Sequence, residues 1–119
     1  MSAKAVGPYT PIVRVGDWLV VSGQVGVVDE KLVTGGVVAE LRQALANLAA
    51  LLEGAGASLA DVVKTTVFLR HIDDYAAVNE AYAAVFGDHR PARSAVAVAG
   101  LPLGALVEVE VWAFKKQAG

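Results

Sequence analysis

Residues 106–114 read Leu106-Val107-Glu108-Val109-Glu110-Val111-Trp112-Ala113-Phe114. Alternation at every second position is the period of a β-strand, whose successive side chains point to opposite faces. Val107, Val109, Val111 and Ala113 make one apolar face that calls for a core. Glu108, Glu110, Trp112 and Phe114 make the other. Two carboxylates beside two aromatics are not an ordinary solvated face, and a carboxylate there belongs to an interface or to a site.

Working outward, four more segments rich in Val, Thr and aromatics read as strands: Ile12–Val15, Trp18–Gly23, Val62–Arg70 and Ser94–Ala99. Gly16-Asp17 is a two-residue hairpin turn between the first two. Val37, Leu41, Leu45, Leu48 and Leu52 recur at helical spacing, which predicts a helix over 37–53 stopped by Gly54 and Gly56. Tyr75, Val78, Tyr82, Val85 and Phe86 repeat the pattern over 74–86, with Asp73 or Asp74 as N-cap and Gly87 as stop. Ser58-Leu59-Ala60-Asp61 is a capping box opening one short helical turn. Gly100-Leu101-Pro102-Leu103-Gly104 links the last two strands. The order ββαβαββ predicts an α/β (α+β) fold, a single sheet with two helices on one face. The other face is left for subunit contacts.

Composition narrows the possibilities. With 119 residues, one domain over 1–119 is expected. Apolar residues make up 55% and charged ones 18%, and 22 Ala with 21 Val fill 43 positions, which excludes intrinsic disorder. No apolar run approaches the roughly 18–20 residues of a membrane span. A net charge of −2 without a basic run argues against nucleic acid as a partner. The N-terminus has no leader pattern, and zero cysteines exclude disulfides and thiol chemistry, so the cytoplasm is the expected compartment. A chain this small cannot hide all its Ala and Val, which predicts association into a homo-oligomer.

Few chemical constellations survive. His71 and His89 lie in no metal-ligand spacing, and His71-Ile72-Asp73-Asp74 reads as a polar loop, so no metal is expected. Ser22-Gly23-Gln24-Val25-Gly26 lacks the spacing of a nucleotide loop, and there is no G-x-S-x-G elbow. What remains is arginine and carboxylate chemistry. In Pro91-Ala92-Arg93-Ser94 a proline sets the entry to a strand, and Arg93 can clamp a planar carboxylate through two parallel hydrogen bonds. The aromatic surroundings of Glu108 predict a raised carboxyl pKa. Tyr9, in Gly7-Pro8-Tyr9-Thr10, can drape over a pocket.

Taken together, Gly7-Pro8-Tyr9, Ser22-Gly23-Gln24, residues 62–69 (VVKTTVFL), Asn79-Glu80-Ala81-Tyr82, Pro91-Ala92-Arg93-Ser94 and Leu101-Pro102 with Glu108 resemble the RidA (YjgF) family of enamine/imine deaminases, in order and over nearly the whole chain. The resemblance implies a chorismate-mutase-like fold (bacillus type) assembled as a homotrimer around a central barrel, with active sites between subunits. It implies hydrolysis of small 2-imino or 2-enamino acids, such as 2-aminoacrylate and 2-iminopropanoate, to 2-keto acids and ammonia, with no cofactor. By motif position, Arg93 would bind the substrate carboxylate and Glu108 would activate the water. Tyr9, Ser22, Gly23, Asn79 and Ala95 would complete the substrate site.

The sequence also departs from the family pattern. Ala95 stands where many members carry Cys, Glu40 where glutamine is common, and the loop 87–90 looks shorter than usual. A deaminase for a larger enamine, a non-catalytic trimer that binds small carboxylates, and an isomerase of the chorismate-mutase type are the alternatives.

Overall fold

The alternation of the last strand decides how the molecule is layered. In a computed structural model, whose described residues are 7–118, Val107, Val109, Val111 and Ala113 are fully buried and their alternates face away from the core. The first residues, on which the leader reading rests, lie outside the described range.

The strands are β1 (Ile12–Val15), β2 (Trp18–Gln24), β3 (Val27–Val28), β4 (Lys31–Leu32), β5 (Val62–Leu69), β6 (Ala92–Ala97) and β7 (Val107–Phe114). The helices are α1 (Val37–Gly54) and α2 (Tyr75–Phe86). Five strands form one sheet in the order β1-β2-β7-β5-β6, antiparallel throughout except for the parallel pair β5–β6. Leu41, Leu45, Leu48 and Leu52 of α1, with Val78, Tyr82 and Phe86 of α2, pack on Leu19, Val21, Val67, Leu69 and the β7 row in a single core. Both helices therefore lie on one face of the sheet. Among the described residues no helix is long and apolar enough to cross a membrane.

Local chemistry accounts for most boundaries. Val15 pairs with Trp18 across the two-residue loop, and Gly16 takes φ +60. The capping box forms, with Ser58 and Asp61 exchanging bonds at both ends. Gly56, at φ +82, ends α1, whereas Gly54 lies within the helix. The Asp cap of α2 is corrected. Asp74 stands at the N-cap position, but its backbone is already helical and its side chain makes no capping bond, because a 3₁₀ turn over Ile72–Asp74 precedes the helix. The predicted strand 94–99 is likewise shifted to 92–97 by pairing of Ala92 with Lys64. β3 and β4 form a separate hairpin that the sequence reading missed. Asp29 and Glu30 adopt the left-handed conformation at its tip (φ 52 and 68) without the glycine that usually marks such a turn.

Two buried polar side chains fasten irregular backbone to α1. The Glu40 carboxylate accepts from the Leu106 amide at 2.8 Å, and the Asn47 amide donates to the Val25 and Val27 carbonyls at 3.2 and 3.1 Å. The β2 end can approach α1 this closely because residue 26 is glycine. A Cβ there would stand 2.4 Å from the Glu40 carbonyl oxygen and 2.7 Å from its Cα, both backbone atoms.

Gly26→Ala is expected to lower stability by about 1–3 kcal/mol, as overpacking against an immovable neighbour does. Gly54→Ala, with open space around its Cβ inside a helix, should raise it by about 0.5–1 kcal/mol. Urea unfolding midpoints of the two variants, read at one protein concentration, check both signs.

Candidate active site

Arg93 pairs in register with Thr65, and Thr65 is fully buried beneath α2, where its hydroxyl and that of Tyr82 lie 2.7 Å apart. Arg93 consequently projects on the helix-covered side, at the β6 edge of the sheet. Its guanidinium carbon lies 5.0 Å from the Tyr82 ring centre and 5.6 Å from that of Tyr75, and Nη2 donates to the Tyr75 hydroxyl at 3.2 Å. Cation–π contact on two rings holds this charge without a carboxylate. A groove of about 300 Å³ opens here, lined by Asn79, Tyr82, Ala83, Arg90, Pro91 and Arg93. The Asn79 Oδ1 is inaccessible and has no hydrogen-bond partner, an acceptor left open beside two cations. Ala95 faces the same side, opposite Val67 and against the core. Burial pushes the Tyr82 pKa up, offset in part by the Thr65 bond and by Arg93 and Arg90, so the phenol stays neutral.

Glu108 lies on the other face of the sheet. It pairs with Phe68 and is half-buried, and its carboxylate rests on β2 at Gly23. A Cβ at residue 23 would be 2.8 Å from both Cδ and Oε2 of Glu108, so only glycine leaves room for the acid. The β2–β7 irregularity between Val21 and Gln24 shapes this contact. Burial raises the Glu108 pKa, and the neighbouring Glu110 adds to the rise. Ser22 donates its hydroxyl to the Thr10 carbonyl at 2.7 Å, tying the segment that carries Tyr9 to this strand. Tyr9 itself is exposed.

The sequence-predicted residues thus fall into two groups. Arg93, Asn79 and Ala95 share the helix-covered edge, whereas Glu108, Gly23 and Ser22 share β2 and β7, with Tyr9 tethered alongside. Strand alternation places Arg93 and Glu108 on opposite faces, so one chain does not bring them together. The sequence reading missed Arg90, Tyr75 and Tyr82. The tyrosines were read as helix packing, although seven residues set them on one helical face, and Arg90 was considered only for the length of its loop.

Toward the β1 edge the uncovered face is largely apolar and aromatic. Val13, Val15, Trp18, Trp112 and Phe114 lie side by side in the register, and Trp18 meets Trp112 and Phe114 edge-on at centroid distances of 5.9 and 5.1 Å. Among the described residues no cluster of three His, Cys, Asp or Glu side chains could hold a metal ion. His89 is engaged instead with the Val62 carbonyl at 2.7 Å.

Residues 1–115 match the family model described as endoribonuclease L-PSP. The chain is 43% identical over 116 residues to a RutC family protein of Pyrococcus horikoshii, covering 95% of this chain and 91% of that one. It is 47% identical over 108 residues to the 2-iminobutanoate/2-iminopropanoate deaminase of Mus musculus, covering 89% and 80%. The crystal structure of the Escherichia coli YjgF gene product superposes with a TM-score of 0.90 at 39% identity, over 97% of this chain and 94% of that one. By sequence and by fold alike, the chain belongs to the endoribonuclease L-PSP family, the RidA (YjgF) family whose motifs it carries.

Proposed function

We propose that this protein is a deaminase that hydrolyses small 2-imino and 2-enamino acids, of the type of 2-aminoacrylate and 2-iminopropanoate, to 2-keto acids and ammonia. The observation that carries the reading is the pair of half-sites: an arginine clamp on one face, and a half-buried carboxylate of raised pKa on the other. The deaminase name borne by relatives such as the mouse protein supports it. The separation of Arg93 from Glu108 favours sites completed by a second copy, and the aromatic uncovered face offers the surface for it. The assembly is a homotrimer of single domains spanning residues 1–119, with the three sheets around a central barrel. The cytoplasm, where imines escape from pyridoxal-phosphate enzymes, is its place of action.

The chemistry needs little. Arg93 holds the substrate carboxylate in a bidentate pair. An enamine first takes a proton at its terminal carbon and becomes the imine. Glu108 of another copy draws a proton from water as the water oxygen bonds to the imine carbon, while the C=N π pair moves onto nitrogen and takes up a proton there. Glu108 returns its proton to the carbinolamine nitrogen, the C–N bond breaks with its electron pair leaving on ammonia, and the hydroxyl gives up its proton as its oxygen becomes the keto oxygen. Asn79, Tyr9, Ser22, Gly23 and Ala95 bound the cleft. Neither metal nor cofactor is required for an already electrophilic carbon, and positioning supplies most of the gain.

With imine generated by threonine dehydratase, the protein should speed keto-acid release. Arg93→Ala should raise KM about 100-fold through loss of a charge-assisted pair, and Glu108→Gln should lower kcat about 10²–10⁴-fold. No acceleration by the native protein would end the reading. Mixed in equal amounts, reassembled and assayed at substrate well below the KM of Arg93→Ala, the two impaired variants should regain about a quarter of native activity, because random assembly pairs intact Arg93 with intact Glu108 at one interface in four.

A raised Glu108 pKa also fixes the sign of the pH dependence. The base form is lost as pH falls through a value above the ordinary glutamate range, so kcat/KM should begin to fall at higher pH than a free carboxylate would require. Glu110→Gln, which removes the second cause of the shift, should move that limb toward lower pH.

A further inference from the structure

The groove at the β6 edge holds more positive charge than one substrate carboxylate requires. Arg90 and Arg93 flank Pro91 and Ala92 and line the same space of about 300 Å³. No acid is among the six lining residues, although the chain as a whole carries more acids than bases. Among the described residues neither guanidinium has a carboxylate partner, the ion pair found being Lys115 with Asp61 at 3.9 Å. Two uncompensated guanidinium groups facing one cleft repel each other, and an anion on each relieves that cost.

The two arginines are held differently. Arg93 rests on the Tyr75 and Tyr82 rings and keeps its fork open except for the bond to Tyr75. Arg90 directs Nη1 to the Gly87 and His89 carbonyls at the end of α2, and its Nη2 and Nε have no acceptor among the described residues. Its position is thus set by the backbone while two nitrogens stay available. Pro91 restricts the backbone between them. Ala83 and Pro91 add apolar lining to the same groove, and a volume near 300 Å³ suits a small ligand.

Resting on the deaminase reading, we propose that Arg90 binds a second substrate carboxylate, so that the preferred substrates are four- and five-carbon 2-imino dicarboxylates. The 1-carboxylate lies on Arg93, and the side-chain carboxylate meets the free nitrogens of Arg90. A carboxylate suits this end because its two oxygens match the planar fork. The competing role for Arg90 is purely structural, a cation closing the C-terminus of α2.

The test compares kcat/KM for iminosuccinate (formed by aspartate oxidase) and 2-iminoglutarate (formed by glutamate oxidase) with that for 2-iminobutanoate, following ammonia release by the native protein. The dicarboxylic imines should be favoured about tenfold or more, and Arg90→Gln should lower that preference about 10–100-fold, mainly through KM, as loss of a charge-assisted pair does. Arg90→Lys should restore part of the preference, which a helix-closing role would not. Should Arg90→Gln fail to fold, inhibition of the native protein by oxaloacetate and by 2-ketobutyrate replaces it, with oxaloacetate expected to bind about tenfold more tightly. Acceleration of 2-iminobutanoate alone, or a preference unmoved in Arg90→Gln, overturns the second-carboxylate site and leaves the deaminase standing. If no imine is accelerated, the deaminase reading fails first.

Discussion

Burying Val107, Val109, Val111 and Ala113 beneath two helices is the constraint on which the rest of the molecule depends. Each side chain of that row commits its neighbour to the opposite face, so Glu108 and Glu110 are carried onto the uncovered side with Trp112 and Phe114. The same rule, transmitted through the β5 register, turns Arg93 toward α2 along with Thr65 and Val67. A shift of one residue in either pairing would exchange these faces and expose the core. The positions of the acid and of the arginine are thus enforced by hydrophobic burial rather than by any attraction between them.

That origin explains which parts of the molecule were legible in the amino-acid sequence. Alternation in β7, the four-leucine stripe of α1 and the Ser58–Asp61 box are set by nearest neighbours along the chain, and each was read correctly. The hairpin at Asp29-Glu30 was not, because two non-glycine residues hold left-handed backbone there. Asp74 looked like a cap because the preceding 3₁₀ turn leaves no trace in composition. The family resemblance implied sites between subunits, but which residues fall on which side was hidden for a different reason. Whether Arg93 and Glu108 face the same way depends on which residues of β5 they oppose, and pairing register joins positions far apart in the chain. Arg90 escaped notice because a lone arginine in a loop carries no signal until its groove is seen.

Glycine and buried acid act as a pair at two places in this fold. Gly26 lets the β2 end close on the backbone of Glu40, whose carboxylate in turn secures the start of β7 at Leu106. Gly23 lets the Glu108 carboxylate lie flat on β2. In both cases the missing side chain matters as much as the acid. The first pair fixes the loop that delivers β7, and the second fixes the group at the other end of that connection. Glu40 in place of the commoner glutamine keeps this bond, since either side chain offers an oxygen to the Leu106 amide.

The edge-on cluster of Trp18, Trp112 and Phe114 has a consequence for how the molecule can be watched. The chain has two tryptophans, and both stand in this cluster on the uncovered face. Tryptophan emission from this protein, excited at wavelengths its three tyrosines do not absorb, therefore originates at the sheet's outer surface, whereas its buried leucines and valines are optically silent. The colour and intensity of that light record what covers the sheet, whether water or another aromatic wall, and carry little word of the core.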